Sequence, residues 1–177
     1  LKERGLLPGN TAVSTVMCNL GLSHALRDAG IDLVQTKVGD RYVLEAMREG
    51  GFVVGGEQSG HMIFLEHNST GDGLVTALQF LAACKRAGKS AGEAAKAMTR
   101  FPQTLINVRV KDKHAADGNQ AIADAVAAAE AALGEDGRVL LRPSGTEPVV
   151  RVMVEAMDEQ AAEQHAKAIA EVVEREI

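Results

Sequence analysis

Seven consecutive residues, Gly55-Gly56-Glu57-Gln58-Ser59-Gly60-His61, place a carboxylate, an amide, a hydroxyl and an imidazole between glycines. Glycines at both ends let the backbone turn sharply and come close to a ligand. The side chains between them suit vicinal sugar hydroxyls, because a carboxylate accepts two O–H bonds while serine and histidine donate or accept. The spacing from Gly55 to Gly60 starts like a phosphate-binding Walker loop. His61-Met62 then stand where Lys and Ser/Thr are required, and no G-x-G-x-x-G pattern occurs. The competing reading of the same seven residues is a hairpin turn rich in turn formers.

A second loop, Arg142-Pro143-Ser144-Gly145-Thr146-Glu147-Pro148, suits an anion. Gly145 lets successive N–H groups converge, Ser144 and Thr146 add hydroxyls, and Arg142 adds a permanently charged fork. The plain alternative is a Pro-Ser-Gly turn beside an exposed arginine. A third segment, Lys37-Val38-Gly39-Asp40-Arg41-Tyr42, brings two cations to a strand-to-helix turn, the place where α/β sheets usually bind ligands. Lys37 is a candidate for acid–base or phosphate work. Alternatively Lys37 and Arg41 are solvated and Asp40 caps the helix. Asp72 in Thr70-Gly71-Asp72-Gly73 reads as a helix-start residue. His24, His67, His114 and His165 have no partner pattern.

These loops need a scaffold, and the hydrophobic pattern supplies one. Strands are expected at Thr11–Cys18, Ile31–Val38, Phe52–Gly55 and Met62–Glu66, alternating with helices over Leu20–Ala29 and Asp40–Glu49. Gly73–Ala87 is apolar on nearly every side, which predicts a buried helix. Such alternation argues for an α/β/α sandwich on a mixed, mainly parallel sheet. Beyond Pro102 the pattern changes to β-α-β-β-α. Ile106, Val108 and Val110 alternate with Asn107 and Arg109; Ile122, Val126, Ala129 and Leu133 recur at helical spacing; Arg138–Arg142 and Val149–Glu155 flank the second loop. A closing amphipathic helix carries Ala162, Ile169, Val173 and Ile177. The expected form is a small α+β (TBP-like) domain with helices on an antiparallel sheet.

Charge shifts at the same place. Residues 1–101 carry 11 basic and 10 acidic side chains, net +1, and residues 102–177 carry 8 and 14, net −6, summing to the chain's −5. Two domains, 1–101 and 102–177, are expected. An acidic chain with 3 % aromatics is a poor nucleic-acid binder. No apolar run approaches the ~20 residues of a membrane helix and no signal peptide is evident, so the compartment reads as cytoplasm. Cys18 and Cys84 cannot build a disulfide framework or, alone, a zinc site.

Gly-Glu-Gln-Ser-Gly-His at 56–61 resembles the sugar-recognition loop of the α-D-phosphohexomutases, and Arg-Pro-Ser-Gly-Thr-Glu-Pro at 142–148 resembles their C-terminal phosphate-binding loop. Lys-Val-Gly-Asp-Arg-Tyr-Val at 37–43 and Thr-Gly-Asp-Gly at 70–73 match as well, in the family's order. The resemblance covers essentially the whole chain. It implies substrate contacts at Glu57, Gln58, Ser59, Gly60, His61 and Arg41, phosphate contacts at Arg142, Ser144, Gly145 and Thr146, and an auxiliary catalytic role for Lys37. The phosphoserine of the first family domain and the Asp-x-Asp-x-Asp magnesium loop of the second have no counterpart here. By this resemblance the chain corresponds to domains three and four, inactive alone, with Leu1–Leu7 the tail of a preceding helix. The magnesium ligands then lie outside it, and its partners are domains one and two of the same protein. The implied reaction passes a phosphoryl group between the 6- and 1-positions of a sugar through a 1,6-bisphosphate. Gln58, where the hexose-phosphate branch usually has Met, points to a hexosamine phosphate as substrate. The alternatives are a glucose or mannose phosphate mutase, or a phosphosugar-binding module without catalysis.

Overall fold

The computed structural model describes residues 1–177 and divides into two compact units, Leu1–Arg100 and Phe101–Ile177. In the first, strands β1 (Thr11–Thr15), β2 (Asp32–Thr36), β3 (Val54–Gly56) and β4 (Met62–Phe64) form one sheet in the order β2-β1-β3-β4. β1 runs parallel to β2 and to β3, while β4 returns antiparallel to β3. Helices α1 (Leu20–Asp28) and α2 (Asp40–Gly50) make the crossovers between the parallel strands. Asn19 starts α1 by accepting the Gly21 N–H at 3.1 Å. Gly39, not Asp40, is the N-cap of α2, and Asp40 occupies its first turn, where a carboxylate complements the positive end of the helix. Val43 and Met47, one turn apart, bury fully against Val13 and Ile63.

Gly55 is where α2 comes down on the sheet. A Cβ there would lie 2.7 Å from both Met47 Sδ and Val43 Cγ1 and 3.1 Å from the Val13 carbonyl. Gly55→Ala is therefore expected to destabilise the first domain by about 1–3 kcal/mol through overpacking. Urea denaturation checks this; an unchanged midpoint would show that α2 can lift away freely.

Helices α3 (Gly73–Ala87) and α4 (Ala91–Ala94) complete this domain. Asp72 is the α3 N-cap, accepting from the Leu74 and Val75 N–H groups at 2.9 Å each. These bonds, Val75's foremost, and one from Asn68 hold the Asp72 carboxyl below its ordinary value. The expectation that α3 is buried fails. Leu74 is 72 % exposed, and Leu78, Phe80 and Leu81 are exposed too. Within its own domain α3 packs along β4 and α4, so most of its apolar circumference meets no neighbour there.

The second domain pairs β5 (Gln103–Arg109), β6 (Gly137–Pro143) and β7 (Val149–Ala156) antiparallel, in the order β5-β7-β6. Helices α5 (Gln120–Leu133) and α6 (Glu159–Glu176) cover one face. Val108, Val150, Val152 and Val154 from that face meet Ile122, Ala129, Ala162, Ala166, Ile169 and Val173 in one core. Asn119 and Asp158 cap the two helices, accepting from Ile122 and Ala161. Period-two alternation in β5 came out as expected: Val108 is buried while Asn107 and Arg109 are exposed. The opposite face of the sheet carries Asn107, Arg109, Arg138, Leu140, Arg142, Arg151, Met153 and Glu155, as the strand registers require.

Candidate functional site

In the first domain, parallel pairing places the C-terminal ends of β2 and β3 at the same end of the sheet. The 37–39 turn leaves β2 there, and the 57–61 loop leaves β3. Ser14, from the central strand, donates to the Gly56 carbonyl at 2.8 Å and so fixes the start of the loop. The loop closes on itself: the Gly60 N–H donates to the Glu57 carbonyl and the Glu57 N–H to the His61 carbonyl, both at 3.0 Å. Gly60, at φ +95°, makes the turn in a region other residues avoid.

The side chains then converge. Glu57, only 12 % exposed, accepts the Gly39 N–H through Oε1 at 2.9 Å, tying the loop to the 37–39 turn. Its other oxygen lies 3.8 Å from His61 Nδ1, and Ser59 Oγ lies 2.9 Å from the same nitrogen. Half of the carboxylate is thus committed to the backbone, and Oε2, Ser59 and the imidazole edge remain for hydroxyls. Gln58, Ser59, Gly60 and His61 are exposed around Glu57. Lys37 and Arg41 are exposed on the adjoining turn. Arg41 is turned along its own helix, with Nε 3.5 Å from Glu45 and its guanidinium 4.8 Å above the Tyr42 ring centre.

In the second domain, the 144–148 loop joins β6 to β7. Ser144 is buried; its N–H donates to the Val149 carbonyl at 2.9 Å, and its Oγ accepts the Glu147 N–H at 3.3 Å. The hydroxyl oxygen therefore shapes the turn. Gly145 and Thr146 are exposed at its tip, and Arg142 is half-buried at its base. Burial, and after it the neighbouring Arg151, pulls the Arg142 guanidinium below its ordinary pKa.

Two further cations stand at this loop that its own residues do not announce. Lys113 Nζ donates to the Ser144 and Gly145 carbonyls at 2.7 and 3.3 Å. A trans peptide points its C=O and N–H in opposite directions. Drawing those two carbonyls towards Lys113 therefore turns the Gly145 and Thr146 N–H groups away from it, towards the other side of the loop, where an anion can take them. Arg151 stands opposite Arg142 in the β6–β7 register. The one signal for Lys113 is its place just beyond β5, whose end pairs with the start of β7 at Arg109–Val149.

No group of three or more His, Cys, Asp or Glu side chains converges to hold a metal ion. No helix is long and apolar enough to cross a membrane.

Residues 1–101 match the family model for phosphoglucomutase/phosphomannomutase alpha/beta/alpha domain III, and residues 105–172 match that for the phosphoglucomutase/phosphomannomutase C-terminal domain. A phosphoglucosamine mutase from Frankia alni is 60 % identical over 173 residues, which are 98 % of this chain and 38 % of that protein. One from Thermobifida fusca is 56 % identical over 177 residues, 39 % of its length. The chain thus spans well under half the length of the curated relatives it matches. Among solved structures, Aspergillus fumigatus N-acetylphosphoglucosamine mutase superposes with a TM-score of 0.80 at 22 % identity, over 93 % of this chain and 38 % of that one. The same enzyme in complex with GlcNAc-6P and magnesium gives 0.78 at 21 %, over 92 % and 41 %. At these identities the superpositions establish a shared fold.

Proposed function

Because the chain belongs to the phosphoglucomutase/phosphomannomutase family, we propose that it supplies the sugar- and phosphate-binding part of a phosphoglucosamine mutase. The complete enzyme interconverts glucosamine 6-phosphate and glucosamine 1-phosphate. A phosphoserine outside these residues gives its phosphoryl group to the free sugar hydroxyl, and the resulting 1,6-bisphosphate returns its other phosphoryl group to the serine. The observation that carries this reading is the pairing of two differently built loops. One presents short hydrogen-bonding groups around Glu57, and the other presents backbone N–H groups beside a half-buried arginine.

That division of labour fits the chemistry. A sugar that must react at either end has to be gripped in two orientations, and Glu57 Oε2, Ser59 and His61 can each meet a hydroxyl. The phosphate that is not reacting needs one fixed cradle, for which Arg142, Ser144, Gly145 and Thr146 are suited. Alignment and charge neutralisation are most of what a loose phosphoryl-transfer transition state asks of a protein. Lys37 and Arg41, exposed beside the sugar loop, are auxiliary contacts in this reading, and Lys37 is placed to steady developing charge.

Magnesium accompanies the solved relative named above. The acids nearest the sugar loop do not fit it. Glu57 Oε1 holds the Gly39 N–H, and both Asp72 oxygens are engaged by Leu74, Val75 and Asn68, so neither carboxylate has both oxygens free for a cation.

The test is the specificity of the full-length enzyme. kcat/KM is expected to be at least about tenfold higher on glucosamine 6-phosphate than on glucose 6-phosphate or mannose 6-phosphate, a margin within reach of a few polar contacts. A preference for glucose or mannose phosphate would place the enzyme in the hexose-phosphate branch and remove Gln58 as a marker. No turnover of any of the three would leave a binding module.

A further inference from the structure

We propose that Gly71 is a positioning residue for His61. With no side chain at 71, the Thr70–Asp72 turn lies flush behind the imidazole and sets where its edge meets the sugar. The proposal rests on reading the 56–61 loop as the sugar site.

Two glycines flank Asp72, and different demands act on them. Neither has the positive φ that favours glycine, so an alanine fits either backbone. The space around them differs. A Cβ on Gly73 would meet nothing within 4 Å. A Cβ on Gly71 would lie 3.2 Å from His61 Cβ and 3.4 Å from both its Cα and its ring Cδ2. These are closer than the separation at which two carbons attract best.

The turn has little room to retreat. The Asp72 N–H donates to the carbonyl of Met62, the residue after His61, at 3.3 Å. The Asp72 carbonyl accepts the Thr76 N–H at 2.9 Å and the Thr76 hydroxyl at 2.6 Å. Its Oδ1 takes the Leu74 and Val75 N–H groups, and its Oδ2 takes Asn68 Nδ2 at 3.2 Å. Every polar atom of Asp72 is engaged, and the peptide joining it to Gly71 is held through them.

The imidazole is the looser partner. Its side chain is 61 % exposed, with Ser59 Oγ 2.9 Å and Glu57 Oε2 3.8 Å from Nδ1. A methyl group at 71 therefore moves His61, not the turn, by a few tenths of an ångström. That displacement falls on the groups left free for hydroxyls. The Thr70-Gly71-Asp72-Gly73 segment thus starts α3 through Asp72 and backs the sugar loop through Gly71.

The full-length enzyme is compared as wild type, Gly71→Ala, Gly73→Ala, His61→Ala and the double variant of Gly71→Ala with His61→Ala. kcat/KM on glucosamine 6-phosphate should fall about three- to tenfold in Gly71→Ala, since a misplacement of about 1 Å costs about a hundredfold. Gly73→Ala should keep the wild-type kcat/KM and melt at the same or a slightly higher temperature. In the His61→Ala background, Gly71→Ala should cost less than about twofold, because the ring it displaces is gone. An undiminished loss in that background overturns the proposal, as does a wild-type kcat/KM for Gly71→Ala alongside a loss for His61→Ala; both leave the sugar loop standing. No loss in His61→Ala removes His61 from the sugar site and the proposal with it.

A spectroscopic readout separates placement from stability. In the 177-residue chain the NMR signals of the His61 ring should move in Gly71→Ala and stay in place in Gly73→Ala. Ring signals unmoved by Gly71→Ala overturn the proposal. Should Gly71→Ala fail to fold, the wild-type chain decides: a nuclear Overhauser effect is expected between the Gly71 Hα and His61 Hδ2 protons, and its absence overturns the proposal.

Discussion

Arg142→Ala is expected to lower the affinity of the second domain for a sugar phosphate on the order of a hundredfold, the worth of a charge-assisted bidentate pair of ~3 kcal/mol. In the full-length enzyme the same loss should appear in kcat/KM. Stability should move the other way or not at all. Arg142 is half-buried opposite Arg151, and burial and that neighbour both work against its charge. Deleting it removes a repulsion, so the melting temperature should hold or rise slightly. Loss of binding without loss of stability is the signature of a residue kept for a ligand at some expense to the fold. Calorimetric titration and a thermal melt on the same sample check both halves. Unchanged affinity would return the loop to an ordinary turn beside an arginine, and a collapsed melt would make Arg142 a structural residue.

Arg138→Met is the largest expected effect on stability. Glu155 sits in the central strand β7 with a side chain that is 0 % exposed, and Arg138 Nε donates to its Oε2 at 2.7 Å. Taking away the arginine removes the cation beside this buried carboxylate, which costs about 3–5 kcal/mol. A double replacement, Arg138→Met with Glu155→Leu, should recover most of that, because it removes the charge along with its partner. Urea unfolding of the two single variants and the double closes the cycle. If the double is no better than Arg138→Met alone, the ion pair is not what holds this part of β7. Substrate affinity should be little changed in the folded double variant, since the pair lies four residues along each strand from the Arg142–Arg151 pair.

Local pattern carried most of the scaffold. The pattern over Asp40–Glu49 was enough to read α2, while the face it buries, Val43 and Met47 one turn apart, came from the structure. The alternation of Val108 with Asn107 and Arg109 was enough to read β5 and its two faces. Asp72 before an apolar run announced a helix start. Each of these signals is complete within a few residues, because capping and amphipathic periodicity are local physics. The helix α3 shows the limit. Its apolar residues on every side said how much surface could be buried, and nothing about whether a neighbour in its own domain would do so.

The two loops were legible as chemistry for the same local reason: their residue types and glycine positions travel together in the chain. The sequence by itself determined that this is an α/β domain followed by an α+β domain, and it singled out the residues at 56–61 and 142–146 that we propose for hydroxyl and anion binding. Only the tertiary structure decided which atoms of those sets are free. Strand β1, lying between β2 and β3, brings Gly39 to Glu57 and commits one carboxylate oxygen. Register between β5 and β7 brings Lys113 behind the Ser144–Gly145 peptides, and register between β6 and β7 sets Arg151 against Arg142. These are non-local outcomes. A hydrogen-bond register depends on the burial of a whole sheet face, and a shift of one residue would send every one of these side chains to the other side.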